Sequence, residues 1–195
     1  MSTRVEVVAP GVTRIRLTSP ILAPVNAYLI ATTAGPVLVD TGFTYSTDQL
    51  REGLTSCGTS PGELAAVFYT HTHEDHMGGG VALHDALGCP QFVRAGTVPA
   101  TSNFYAYFEG CEHWTSWMRR RIPDSDELRW ILGSAGSMTR IPFRQGGDGT
   151  LPGVAEVELG ATVTVGDLSF RCVDGTGHDP WHVGWLEPAR GWFFS

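Results

Sequence analysis

Lysine is missing from this chain: all 13 basic residues are arginine, which excludes a lysine Schiff base or lysine nucleophile. Basic charge is short altogether, with 20 acidic residues against those 13 and a net charge of -7, so no broad electropositive footprint exists for nucleic acid or an anionic membrane. Long apolar runs are also lacking. No segment approaches the roughly 18 apolar residues of a membrane span, and the opening MSTRVEVVAPGVTRIRL has no apolar core of a secretory signal. The expectation is a cytoplasmic protein with a small-molecule substrate and neither nucleic acid nor membrane as partner. Cysteine is sparse, and Cys57, Cys89, Cys111 and Cys172 form no C-x-x-C pair, which reads as reduced thiols rather than a disulfide framework or thiolate zinc site.

What is present describes an ordinary globular chain: 195 residues, 42% apolar, 17% charged, mean hydropathy -0.03, enough for one domain over 1–195. Short β-rich runs open it, VEVV (5–8), TRIRL (13–17), NAYLIA (26–31) and PVLVD (36–40), separated by Pro and Gly turn signals. A helix is expected over 45–57, where Ser46 or Thr47 can cap and Leu50 and Leu54 share a face. AAVFY (65–69) reads as a buried strand, followed by a polar, His-rich loop, a helix over 81–87 and the strand QFVR (91–94). Residues 98–132 differ in texture, with seven aromatics from Phe104 to Trp130 around Arg119, Arg120 and Arg121, and are expected to form a helical insert. A Gly-rich connection spans 133–153. Strand patterns then resume in AEVEL (155–159), ATVTV (161–165), LSFRCVD (168–174), VGWLE (183–187) and GWFFS (191–195). Strands, helices and strands again predict two sheets carrying helices.

The chemistry concentrates in THTHEDHMGGG, residues 70–80, which holds three of the seven histidines. His71, His73 and Asp75 lie two apart and project to one side while the chain stays extended. His76 then reaches inward across a turn that Gly78, Gly79 and Gly80 permit. Imidazole nitrogens and a carboxylate oxygen are what Zn²⁺ accepts, at about 2.0–2.2 Å. Glu74, at odd spacing, is left outside the ligand set. A second candidate, GTGHDPWH (175–182), places His178 and His182 around a turn at Asp179 and Pro180.

THTHEDHMGG resembles the H-x-H-x-D-H signature of the metallo-β-lactamase superfamily. NAYLI, VLVDTG and GTGHDPWH follow in the family's order, the last similar to the T-P-G-H-[T/S]-P-x-H form of glyoxalase II-like hydrolases. The resemblance implies an α/β (α+β) fold, a four-layer αβ/βα sandwich with its metal site at one edge between two sheets. Carried over position by position, His71, His73 and His178 bind a first metal, and Asp75 and His76 contribute to a second. Asp40 and His182 stand behind the ligands. The implied activity is metal-dependent hydrolysis of a small ester, thioester, lactone or amide by a metal-bound hydroxide, with Asp75 orienting the hydroxide and moving its proton. One or two zinc ions are implied, with Fe or Mn as alternatives.

The family pattern next calls for an aspartate bridging two metals and a further histidine, and neither follows His182. The chain is therefore read as an N-terminal portion of a longer parent or a shortened relative, with the second half of the sandwich incomplete and sheet edges open to a second copy of the chain. Two other functions remain open: an iron-dependent persulfide dioxygenase-like enzyme on a two-His, one-carboxylate set, and a non-catalytic scaffold holding metal structurally.

Overall fold

Alternating apolar and polar residues build strands at both ends of the chain, and the computed structural model describes residues 4–19, 23–97, 154–177 and 179–195. All of the architecture below belongs to the unit made of Met1–Thr97 and Gly153–Ser195. The expected insert at 98–132 and the Gly-rich connection at 133–153 lie outside the described residues, as does His178. Strands β1 (Arg4–Ala9), β2 (Val12–Leu17), β3 (Val25–Ile30) and β4 (Val37–Val39) pair antiparallel in chain order. Strands β5 (Ala66–Phe68), β6 (Gln91–Arg94) and β7 (Val154–Val157) then add in parallel, completing a mixed seven-stranded sheet in the order β1 to β7. Parallel neighbours need crossover connections. The helices α1 (Thr47–Ser56) and α2 (Glu74–Ala82) lie in the first two of these. A second sheet, antiparallel, contains β8 (Thr162–Val165), β9 (Leu168–Asp174), β10 (Val183–Glu187) and β11 (Trp192–Phe194), ordered β11-β10-β9-β8.

The period of two along each strand sorts the core into two halves. Val37, Val39, Ala66 and Phe68 of the first sheet share one buried cluster with Leu168, Phe170, Val183 and Trp185 of the second. Leu38 and Val67, between them, are equally buried but point to the opposite face, where α1 and α2 pack on β2 and β3. Phe68 sits at the centre of the interior, its ring 4.8 Å from those of both Phe170 and Trp185 and 5.0 Å from that of Phe92. Trp185 Nε1 donates to the Tyr69 carbonyl at 2.9 Å, so the polar edge of this buried indole is satisfied by the strand end that leads into the His-rich stretch. Among the described residues the layers are helices, sheet and sheet, three of the four that the sandwich contains. No helix among them is long and apolar enough to cross a membrane.

Every predicted strand forms, with ends shifted by at most two residues. The first helix begins with a 3-10 turn at Thr44–Ser46 before α1. Ser46 stands at the N-cap without capping through its side chain; its hydroxyl donates instead to the Phe43 carbonyl at 2.9 Å. The helix expected over 81–87 is a correction: α2 spans Glu74–Ala82, and only a 3-10 turn at His84–Ala86 follows. Three glycines favour a break by propensity alone, yet here they lie inside the helix. A Cβ at Gly79 would collide with the Thr41 carbonyl oxygen and one at Gly80 with the Tyr69 hydroxyl. The glycines let α2 lie directly on the ends of β4 and β5, which is a packing role rather than the turn predicted for them.

Candidate metal centre

The site grows from the C-terminal ends of the two adjacent parallel strands β4 and β5. Asp40, the residue after β4, adopts φ 57°, the left-handed region that a non-glycine residue rarely occupies. What holds it there is a complete set of bonds. Its backbone N–H donates to the Phe68 carbonyl at 2.9 Å, and its carboxylate accepts from the Thr70 N–H and the Thr70 hydroxyl, both at 2.8 Å. The same carboxylate lies 2.8 Å from Nδ1 of His76. Thr41 closes the arrangement: its N–H donates to the His76 carbonyl at 2.7 Å, its hydroxyl donates to the same carbonyl at 2.9 Å and accepts from the Gly80 N–H at 2.8 Å. The first turn of α2 is thus fastened to the residues following β4.

His71 occupies the middle of the imidazole cluster. Its ring centre is 4.1 Å from that of His76, 4.5 Å from that of His73 and 4.8 Å from that of His182. His71, Asp75 and His76 each present a ligand-type atom, and these atoms lie within 4.8 Å of one another. Two imidazoles and a carboxylate, one of them buried and two half-buried, form a donor set that suits a borderline divalent cation. The same-side extended geometry expected for His71, His73 and Asp75 does not hold throughout. The chain is irregular only to His73, and Asp75 is delivered from the first turn of α2, one residue before His76. The side chain of Glu74 lies outside the described set.

Charge coupling follows from this crowding. Burial works to lower the His76 pKa, but hydrogen bonds to Asp40 and Asp75 overcome it and push the imidazole up to about 10. Burial works to raise the Asp75 carboxyl, and the neighbouring His76, 3.4 Å away, more than offsets it, leaving Asp75 below the ordinary carboxylate value. Beside Asp40 and His76 opens a cavity of about 210 Å³, lined also by Asn26, Tyr28, Thr70 and Phe194.

The second motif folds over the first. Val183 N–H donates to the Thr70 carbonyl at 2.8 Å, joining the start of β10 to the His-rich stretch. Arg94, at the end of β6, donates through Nη1 to the Pro180 carbonyl at 2.8 Å and the Thr176 hydroxyl at 3.0 Å, and lies 3.5 Å from Asp174. These contacts brace the loop 175–182, bringing His182 beside His71.

The chain matches the sequence profile of the metallo-beta-lactamase superfamily over residues 21–194. It belongs to that superfamily. Among curated proteins it is similar to metallo-beta-lactamase domain-containing protein 1 of Rattus norvegicus, 29% identical over 147 residues, 75% of this chain and 50% of that one. The Mus musculus protein of the same name is 43% identical over 149 residues, 76% of this chain and 49% of its own. The chain spans about half the length of the curated relatives it matches. Solved structures share the fold: a metallo-beta-lactamase family protein from Thermus thermophilus superposes with a TM-score of 0.68 at 19% identity, covering 96% of this chain and 59% of that one. A Cronobacter sakazakii metallo-beta-lactamase gives 0.64 at 16% identity, covering 97% and 62%.

Within this superfamily member, the structure brings together His71, His73, Asp75, His76, Asp40 and His182. His178 alone of the predicted site residues lies outside the described residues. Sequence reasoning missed Thr70 and Thr41, which fasten Asp40 and α2, and Arg94, which braces the second loop. It also assigned no role to Asp179. A threonine after a buried strand and an arginine in an alternating strand look like ordinary residues, and only the pairing of β4, β5 and β6 reveals what they touch.

Proposed function

We propose that this chain carries the metal-binding machinery of a zinc-dependent hydrolase acting on a small ester, thioester, lactone or amide. The observation that carries the reading is the convergence of His71, Asp75 and His76 at the ends of β4 and β5, with His73 and His182 packed around His71. His71, His73 and His178 are assigned to one ion, and Asp75 and His76 to a second. Zinc held by these residues would supply Lewis-acid polarisation of the scissile group and a water acidified towards neutral pH. Asp75, ionised at neutral pH, is placed to orient the attacking water and take its proton. Asp40 holds His76 through Nδ1, leaving Nε2 directed at the site. Thr41 and Thr70 keep that geometry rigid.

A small-molecule substrate and independence from nucleic acid and anionic membranes belong to the same proposal, on the grounds of the net charge of -7, and a cytoplasmic location is proposed with them. Metal content after zinc dialysis, followed by a screen of aryl esters, thioesters and lactones with the same protein, tests it. Stoichiometric zinc and turnover lost in His71→Ala are expected; a chain that takes up no metal overturns the reading. A second reading, one iron on two histidines and a carboxylate serving persulfide oxidation, is favoured by the composition of the His71, Asp75, His76 set. Iron rather than zinc in protein isolated without added metal decides for it.

A further inference from the structure

Asp179 is a carboxylate that the proposed metal chemistry has not used. It is 5% exposed, as deeply placed as Asp40, although it belongs to a surface-crossing loop. A buried carboxylate costs several kcal/mol unless its oxygens find partners. One oxygen accepts from the Trp181 N–H at 2.7 Å, which folds the loop into a tight turn around the side chain. The other lies 3.4 Å from Nε2 of His73. In GTGHDPWH the aspartate stands where the resembled form has threonine or serine, so this chain places a carboxyl group at a position otherwise filled by a hydroxyl.

An imidazole has two nitrogens, and the partner of one fixes which face of the other is free. With Nε2 at 3.4 Å from Asp179, the other ring nitrogen of His73 is Nδ1. Carboxylates behind metal-binding histidines set the tautomer, orient the ring and raise its basicity. We propose that Asp179 is a positioning residue for His73: its carboxylate accepts the Nε2–H and so commits Nδ1 to the metal. This rests on the metal-centre reading above. It also gives the two motifs a physical link besides shared ligands, because the loop carrying His178 orients a histidine of the first stretch. Arg94 supports the arrangement by holding the Pro180 carbonyl, one residue beyond Asp179.

The test is long-range proton–nitrogen NMR of His73 in the 195-residue chain, metal-free and zinc-loaded, together with zinc titration of Asp179→Ala and Asp179→Asn. Expected are a protonated Nε2 in both states and a Kd for zinc raised about ten- to hundredfold in Asp179→Ala. Asp179→Asn, whose amide oxygen still accepts, should recover part of that loss. A His73 that is unprotonated at Nε2, or an Asp179→Ala variant binding zinc within about twofold of the parent, overturns the proposal. If Asp179→Ala does not fold, the NMR of the unaltered chain and the Asp179→Asn titration decide. Failure of the unaltered chain to bind zinc removes the metal-centre reading, while the proton on metal-free His73 still decides the contact with Asp179.

Discussion

Asp40 shows how much one residue carries here. Its left-handed backbone and four contacts make it the joint between β4, β5 and α2. Asp40→Ala removes the acceptor for Thr70 and His76 and is expected to cost about 1.5–3 kcal/mol in urea unfolding, the range for hydrogen bonds to a charged group. Asp40→Asn, which tolerates the same backbone region, should cost less. His76 supplies a pH dependence with a definite sign. Its native value, about 10, lies above the ordinary 6.5, so its stabilising contribution is complete below pH 6.5 and is lost as pH rises through about 10. The urea midpoint of the metal-free protein should therefore fall across that window, and His76→Gln should flatten this part of the profile. At this scale the sequence was only partly readable. His71, Asp75 and His76 announce themselves by type and spacing, whereas Thr41, Thr70 and Asp179 acquire meaning only through neighbours far along the chain or across a loop.

Among the elements, α2 is where local preference and tertiary packing disagree. Its sequence, EDHMGGGVA, has three consecutive glycines and little amphipathic pattern, so a reading by propensity begins the helix after them. The fold reverses this, because the backbone of α2 must approach Thr41 and Tyr69 more closely than any side chain allows. Gly80→Ala separates the two effects. Alanine favours a helix by about 1 kcal/mol, but forcing a methyl against the buried Tyr69 ring costs about 1–3 kcal/mol. Net destabilisation is expected in thermal or urea unfolding, accompanied by weaker zinc binding as His76 shifts with the helix. A stabilised variant would show that the close approach is not required. Strands β2, β4 and β5 behave differently: their alternating or wholly apolar runs end up buried as their patterns predict, whereas Val7 and Val8 of β1 stay exposed.

At the largest scale, within the unit made of Met1–Thr97 and Gly153–Ser195, the two sheets share a buried cluster, and His182 lies beside His71. Trp185 joins the two, filling the core beside Phe68 while its indole N–H holds the Tyr69 carbonyl. Trp185→Phe keeps most of the apolar volume but leaves that carbonyl without its donor, and should destabilise the protein by about 1–3 kcal/mol in urea unfolding. The mixed α/β class, the two-sheet arrangement and the superfamily were legible in the sequence, because strand alternation and the spacing of H-x-H-x-D-H are local properties. The grouping of His71, Asp75 and His76 was legible too, since few side chain types hold a divalent cation. The tertiary structure alone decided where α2 begins and which carboxylates lie behind the histidines. Those depend on contacts between segments far apart in the chain, such as Asp40 with His76 and Asp179 with His73, and no spacing along a sequence encodes the distance between two strand ends.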